Sequence, residues 1–302
     1  MATINHNDWN TVQSQIASVL GDPSATVSDV LGYHSAITSA QVATNQEIYG
    51  AEWNTLRADI NSAYTHQTGS ASDLTARGTT DIISAADLTL IAARSQTAYN
   101  NRLAVNGGQL AYQAGPSYSS GATWGVRTYF SGTIQFGSNA AFRGFWNGGG
   151  YLTFTASRSG GSGTNQNGAW SNLLSRMGTI VLTRTSMYQS GNSWGGTFYN
   201  SIGANGVYGS NIGSGLTQAF DITDTTDSGY VNALIYRIYL ALDNASLSSA
   251  TALTFEINCY DNHTAIASGP DYVNGTLALS NGIYYPFSNS ATGIPSNYSG
   301  QS

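Results

Sequence analysis

Gly191-Asn192-Ser193-Trp194-Gly195 has the G-x-S-x-G spacing of a nucleophile elbow. In that motif a sharp strand-to-helix turn lifts a serine beside a histidine base. Gly196-Thr197-Phe198-Tyr199 follows and does not start a helix, so the serine lacks the scaffold that would activate it. Cys259, Asp261 and His263 have a spacing that suits a metal. Zinc, however, needs four ligands, or three and a water, and the chain has one cysteine and four scattered histidines, His6, His34, His66 and His263. Cys259 reads instead as a small core residue of a strand. Asp221, Asp224 and Asp227 recur every third position and can gather oxygens around calcium or stand as a solvated loop. Their spacing is not that of an EF-hand, and both readings stay open. No two carboxylates are singled out for glycoside cleavage. The sequence thus assigns no catalytic residue, no cofactor site and no metal ligand, and a non-enzymatic protein is expected.

Binding chemistry is better represented. Tyr188, Trp194, Tyr199 and Tyr208 lie in a Gly/Asn/Ser-rich stretch from Ser186 to Gly215. Rigid aromatic rings among adaptable hydrogen-bonding residues are the composition of contact loops. Contact with another subunit is the first expectation, contact with a host glycan or receptor the second, and plain cover of the core the third.

These residues must be positioned by a weakly charged chain. Of 302 residues only 9% are charged, against roughly 25% in an average soluble protein. All 10 basic residues are arginine, 16 are acidic, the net charge is −6, and glycine supplies 35 positions. Without lysine there is no Walker loop. Scattered arginines on an acidic chain do not make a nucleic-acid clamp. No apolar run is long enough to cross a bilayer, so membrane insertion is not expected. Met1 to Asp8 has neither a basic n-region nor an apolar h-region, so no secretory leader is expected. The composition suits β-structure in a durable assembly.

Up to about residue 104 the pattern is helical, and it repeats. Ile4, Trp9, Asn10, Thr11 and Ile16 recur 44 positions later as Ile48, Trp53, Asn54, Thr55 and Ile60. Trp9, Val12, Ile16, Val19 and Leu20 form one helical stripe, and so do Trp53, Leu56, Ile60, Ala63 and Tyr64. Leu88, Ile91, Ser95, Ala98 and Tyr99 keep the spacing with one polar interruption. Capping boxes with hydrophobic staples are expected at Asn5/Asp8, Thr38/Gln41 and Ser84/Asp87, with Tyr49/Glu52 as a poorer version. Three or four short helices follow from this, with Trp9 and Trp53 as structural anchors.

Beyond Asn106-Gly107-Gly108 the period shortens. Residues 128–136, 150–156, 177–184, 233–240 and 251–259 are β-branched, aromatic and partly alternating. Short strands between Gly/Ser/Asn loops argue for an antiparallel sandwich. The fold class is therefore α+β: short N-terminal helices over 1–104, a β-sandwich-like domain over 105–287, and a Ser/Asn/Gly-rich tail over 288–302 without a helix or strand pattern of its own. One helix, Ala140 to Trp146, interrupts the strands, and Asn147-Gly148-Gly149-Gly150 turns it into the next. Phe145 and Trp146 would then plug the open end of the sandwich.

The stretch Ala140-Ala141-Phe142-Arg143-Gly144-Phe145-Trp146-Asn147-Gly148-Gly149-Gly150-Tyr151-Leu152-Thr153-Phe154 resembles an aromatic-aromatic-Asn-x-Gly-Gly element, leading into a strand, of virion structural proteins in tailed phages, especially those of cyanobacteria. Asn167 to Ile180 looks like the continuation of that domain, and the Ile-x-x-x-acid-Trp-Asn-x-Leu run Ile48 to Leu56, with its Asp59-Ile60 and then His66-Gln67, resembles the leading region. The resemblance extends over most of residues 1–260 in short pieces. It implies a virion location, a tail or baseplate appendage of fibre type and other virion proteins as partners. The scarcity of charge, which leaves much of the surface neutral, calls for a homo-oligomer, and the resemblance makes it a trimer because such parts are often three-fold. A capsid decoration protein and a polysaccharide-degrading tailspike are the alternatives it leaves.

Overall fold

A computed structural model describes residues 6–21, 32–191, 195–199, 214–227, 229–244, 249–263, 272–286 and 297–301. The chain divides into two compact units. The first is Met1–Ala111 with Ala140–Gly150 and Tyr285–Ile294; the second is Tyr112–Asn139 with Tyr151–Tyr284 and Pro295–Ser302.

In the first unit, helices α1 (His6–Leu20), α2 (Gly50–Thr68) and α3 (Ala85–Asn100) bury the expected stripes. Trp9, Ile16, Trp53, Leu56, Ile60 and Ile91 are fully enclosed in one core with Tyr33, Val42, Ile48, Leu74 and Ile83. The polar interruption in α3 has a use: Ser95 is buried against α1, where its hydroxyl meets the Val12 carbonyl oxygen at 3.3 Å and Gln15 Oε1 at 2.9 Å. The 44-residue repeat is a repeated clasp. The Asn10 amide donates to the Val42 carbonyl (3.0 Å) and accepts from its N–H (2.8 Å). Asn54 does the same with Arg77, at 2.8 and 3.1 Å. Each side chain thus satisfies both main-chain groups of one extended residue, as a neighbouring strand would.

The caps divide. Ser84 caps α3, with Asp87 N–H donating to Ser84 Oγ (3.2 Å) and Ser84 N–H to Asp87 Oδ2 (3.0 Å). Tyr49 N–H donates to Glu52 Oε2 at 3.0 Å before α2. The cap at Asn5 lies outside the described residues. The expected start at Thr38 is overturned: no helix follows it. The Thr38 N–H and hydroxyl and the Ser39 N–H donate to the buried carboxylate of Asp59 on α2, at 2.7 to 3.2 Å. A carboxylate that gathers these donors offers the backbone a better partner than a helical turn.

Helix α4 (Asn139–Asn147) bears on the expected boundary. From Ala140 onward it belongs to the first unit, so the chain does not divide once at residue 104. The cause is a close approach. A Cβ at Gly144 would stand 2.5 Å from the His34 Cβ, so only glycine lets α4 reach the Tyr33-His34 backbone. Phe142, Phe145 and Trp146 are buried, Trp146 edge-on to Phe145 at 4.9 Å. Asn147 donates to the Gly32 carbonyl at 3.3 Å. Gly148 passes against Pro286, and Gly149 turns the chain with φ +83° beneath Val105.

The second unit is a sandwich of two antiparallel sheets. Strands β1 (Leu110–Ser120), β10 (Thr276–Pro286), β3 (Tyr151–Ser159), β4 (Thr179–Leu182) and β5 (Met187–Ser190) make the five-stranded sheet, in that order. The six-stranded sheet runs β11 (Asn297–Gln301), β2 (Arg127–Gln135), β9 (Ala252–Asp261), β8 (Leu234–Leu242), β7 (Thr217–Thr223) and β6 (Thr197–Phe198). Strand alternation sets the two faces. Leu152 and Phe154 of β3 point inward, and so do Tyr236 and Ile238 of β8 and Phe255, Ile257 and Cys259 of β9. Phe154 meets Phe255 between the sheets at 5.3 Å, and Phe255 meets Phe130 at 5.6 Å. Helix α5 (Asn165–Met177) lies on the inner side. Gln189, on the same side as its partner Ile180, donates to the Arg176 and Met177 carbonyls at 3.0 and 2.6 Å. The tail expectation is corrected in part: Asn297–Gln301 pairs antiparallel with β2, Tyr298 opposite Ile134.

Candidate functional site

The residues singled out for chemistry are dispersed. Ser193, Asn192 and Trp194 of the G-x-S-x-G match lie outside the described residues, as does Tyr208. Cys259 is buried on the inner face of β9, and burial pushes its thiol up. Asp261, two residues on, is also buried; it accepts from Gln166 Nε2 (2.7 Å), Trp170 Nε1 (3.0 Å) and the His263 N–H (3.1 Å). The His263 ring is tilted by 45° against Tyr230, centroids 4.6 Å apart. No cluster of three His, Cys, Asp or Glu side chains able to hold a metal occurs among the described residues. Asp224 instead closes a turn, accepting from the Thr226 and Asp227 N–H groups at 2.9 and 3.2 Å, with Arg176 3.8 Å away.

Asp221 points elsewhere, onto the outer face of the six-stranded sheet. A β-bulge between Gln218 and Phe220 places Gln218 and Asp221 on the same side of β7. Gln218 Nε2 and the Tyr199 hydroxyl then donate to Asp221 Oδ2 at 3.2 and 3.1 Å, with Arg237 Nε at 3.6 Å. Next along the face, Arg237 lies over Tyr260 at 5.4 Å. Arg127 lies over Tyr260 and Tyr129 at 5.5 and 4.7 Å, and reaches Glu256 (2.7 Å) and Asn258 (2.6 Å). Two arginines and two carboxylates alternate there with tyrosines. Cation–π contact and ion pairing make this a salt-bridged ladder.

The outer face of the five-stranded sheet is different in kind. Register places Tyr284 of β10 opposite Tyr151 of β3, and the rings stack at 4.3 Å with 13° between their planes. Tyr112 of β1 lies 5.0 Å from Tyr284. Its ring packs over Gly282, where a Cβ would stand 2.7 Å from Tyr112 Cε2 and also 2.7 Å from Thr153 Oγ1. Tyr188 of β5 faces outward from the position opposite Val181, which continues the Thr153 row. Tyr112 and Tyr188 are 59% and 45% exposed, so the row is open at both ends. Burial first, then Tyr284 and Tyr188, push the Tyr151 phenol above its ordinary range. The other outward residues of the paired strands, among them Thr153, Thr155, Ser157, Ser159, Thr179, Val181, Thr276, Ala278 and Ser280, carry no charge.

Of the four expected contact residues, the structure thus places Tyr188 on one sheet and Tyr199 on the other. Tyr112, Tyr151 and Tyr284 escaped the sequence reading. The available signal was Tyr151-x-Thr153-x-Thr155, the outward half of an alternating strand. No helix among the described residues is long and apolar enough to cross a membrane. Comparison of the chain with protein-family models, curated proteins and solved structures gave no match.

Proposed function

We propose that the protein is a non-enzymatic structural component of a tailed-phage virion, carried in a tail or baseplate appendage, where it assembles as a homotrimer with other virion proteins and contacts the host surface. The observation that carries the adhesive part is the uncharged tyrosine row on the outer face of the five-stranded sheet. Tyrosine supplies large amphipathic contact area at small entropic cost, which suits a surface that must grip without covalent chemistry. The virion location is supported by the residue resemblance around Phe145-Trp146-Asn147-x-Gly149-Gly150 and by the low charge. Immunogold labelling of intact particles tests the location: gold on the tail is expected, and gold spread over the head assigns the decoration role instead. Incubation with the host's surface polysaccharide tests the rest. Release of oligosaccharides would replace this reading by that of a degrading tailspike.

A further inference from the structure

We propose that the row Tyr112, Tyr284, Tyr151 and Tyr188 is a binding site for a neutral polysaccharide chain lying across the strands of the five-stranded sheet. The proposal deepens the adhesive reading above and rests on it, naming the ligand class. Three features lead there.

The first is charge. The two outer faces of the same sandwich differ: one carries Arg127, Arg237, Glu256 and Asp221, while the outward residues of the paired strands around the tyrosine row carry no charge. A sulfated, carboxylated or phosphorylated polymer would find no cation there to offset its desolvation. A neutral polyhydroxyl chain needs none.

The second is spacing. From β1 through β10 to β3 the ring centroids follow one another at 5.0 and 4.3 Å, and beyond Val181 of β4 the row resumes with Tyr188 of β5. From β1 to β5 the face is four strand spacings wide, about 19 Å, enough for several consecutive sugar rings.

The third is chemistry. The apolar C–H faces of sugars pack on aromatic rings, here the exposed Tyr112 and Tyr188 at the two ends of the row, while their hydroxyls need donors and acceptors. Phenol groups, Thr153, and the Thr155–Ser280 hydroxyl pair (2.8 Å) supply those partners beside the rings. Gly282 belongs to the site through its missing side chain, because it gives the Tyr112 ring its seat.

Native gels cast with hydroxyethyl cellulose, galactomannan, dextran or, as the charged comparison, alginate provide the test on the full chain. At least one neutral polymer should retard the protein and alginate should not. Tyr112→Ala and Tyr284→Ala should each weaken retardation by up to about tenfold. Gly282→Ala, which keeps every ring but displaces one, should weaken it too. Tyr188→Ala, at an exposed position of the edge strand β5, guards against loss by misfolding and should weaken it severalfold. Val231→Ser, exposed elsewhere on the same unit, should behave as the parent. Retardation by alginate alone, by no polymer, or undiminished in the tyrosine variants would overturn the proposal. Its failure is separable from that of the virion reading: gold on the tail without retardation removes the glycan site alone, and retardation without gold on the tail removes the location alone.

Discussion

Tyr236 carries a hydroxyl buried in the sandwich with no hydrogen-bond partner among the described residues. Burial, with Cys259 opposite it, pushes the phenol well up. A buried group left unpaired costs about 1–3 kcal/mol, so Tyr236→Phe should leave the urea midpoint unchanged or raise it; a drop would mean that the hydroxyl has a partner. Trp9 and Trp53 are the opposite case. Both rings are fully enclosed, and Trp9→Ala or Trp53→Ala should cost about 3–5 kcal/mol in chemical denaturation. His66 gives the molecule an acid limit. It is buried beside Tyr33, ring centroids 4.2 Å apart, and burial lowers its pKa from 6.5 to about 4, opposed by a backbone hydrogen bond with Gly148. The unfolded chain then takes the proton at a higher pH than the folded one does. This contribution is complete above pH 6.5 and is lost between pH 6.5 and 4, roughly 3 kcal/mol in all. His66→Gln should flatten the pH dependence of the melting temperature across that window; an unchanged slope would show that other groups set it.

At the level of elements, what was legible in the sequence is what repeats locally. The stripes of α1 and α2, the Ser84/Asp87 box, and the alternation of β3, β8 and β9 are patterns within a few turns or one strand, so they could be read directly. Thr38 misled because its donors serve a carboxylate on another helix, a partner that proximity in sequence does not reveal. The tyrosine row was invisible for the same reason. Its members are spread from residue 112 to residue 284, and only sheet register aligns them. The 44-residue repeat was visible as letters, but its purpose appeared with the clasp. Asn10→Ala and Asn54→Ala should each cost roughly 1–3 kcal/mol, because the Val42 and Arg77 main-chain groups lose their partners. A negligible effect at either site would mean that water replaces the amide. Strand β11 is an element the composition hid, since Asn297-Tyr298-Ser299-Gly300-Gln301 has no apolar alternation and holds β2 through the backbone ladder. Removing residues 297–301 bares the β2 edge, and concentration-dependent aggregation is expected in light scattering.

For the whole molecule, 26 charged side chains on 302 residues leave much neutral surface. Closed symmetry is the ordinary way to cover such surface without runaway association. Light scattering of the purified chain should return three times its 31.7 kDa mass; a dimer would correct the stoichiometry and a monomer would remove the assembly. The order of manufacture follows from the chain's path. The first unit is entered three times: through Ala111, again over Ala140–Gly150, and last from Tyr285, where Pro286 meets Gly148. A ribosome working at about 5–20 residues per second delivers Tyr285 about 9–35 s after Ala111. Throughout that interval α1 to α3 wait for their last pieces while nearly all of the sandwich is being threaded out. The nascent helices are therefore the longest-lived unfinished part of the protein, and the stage at which a chaperone has most to hold.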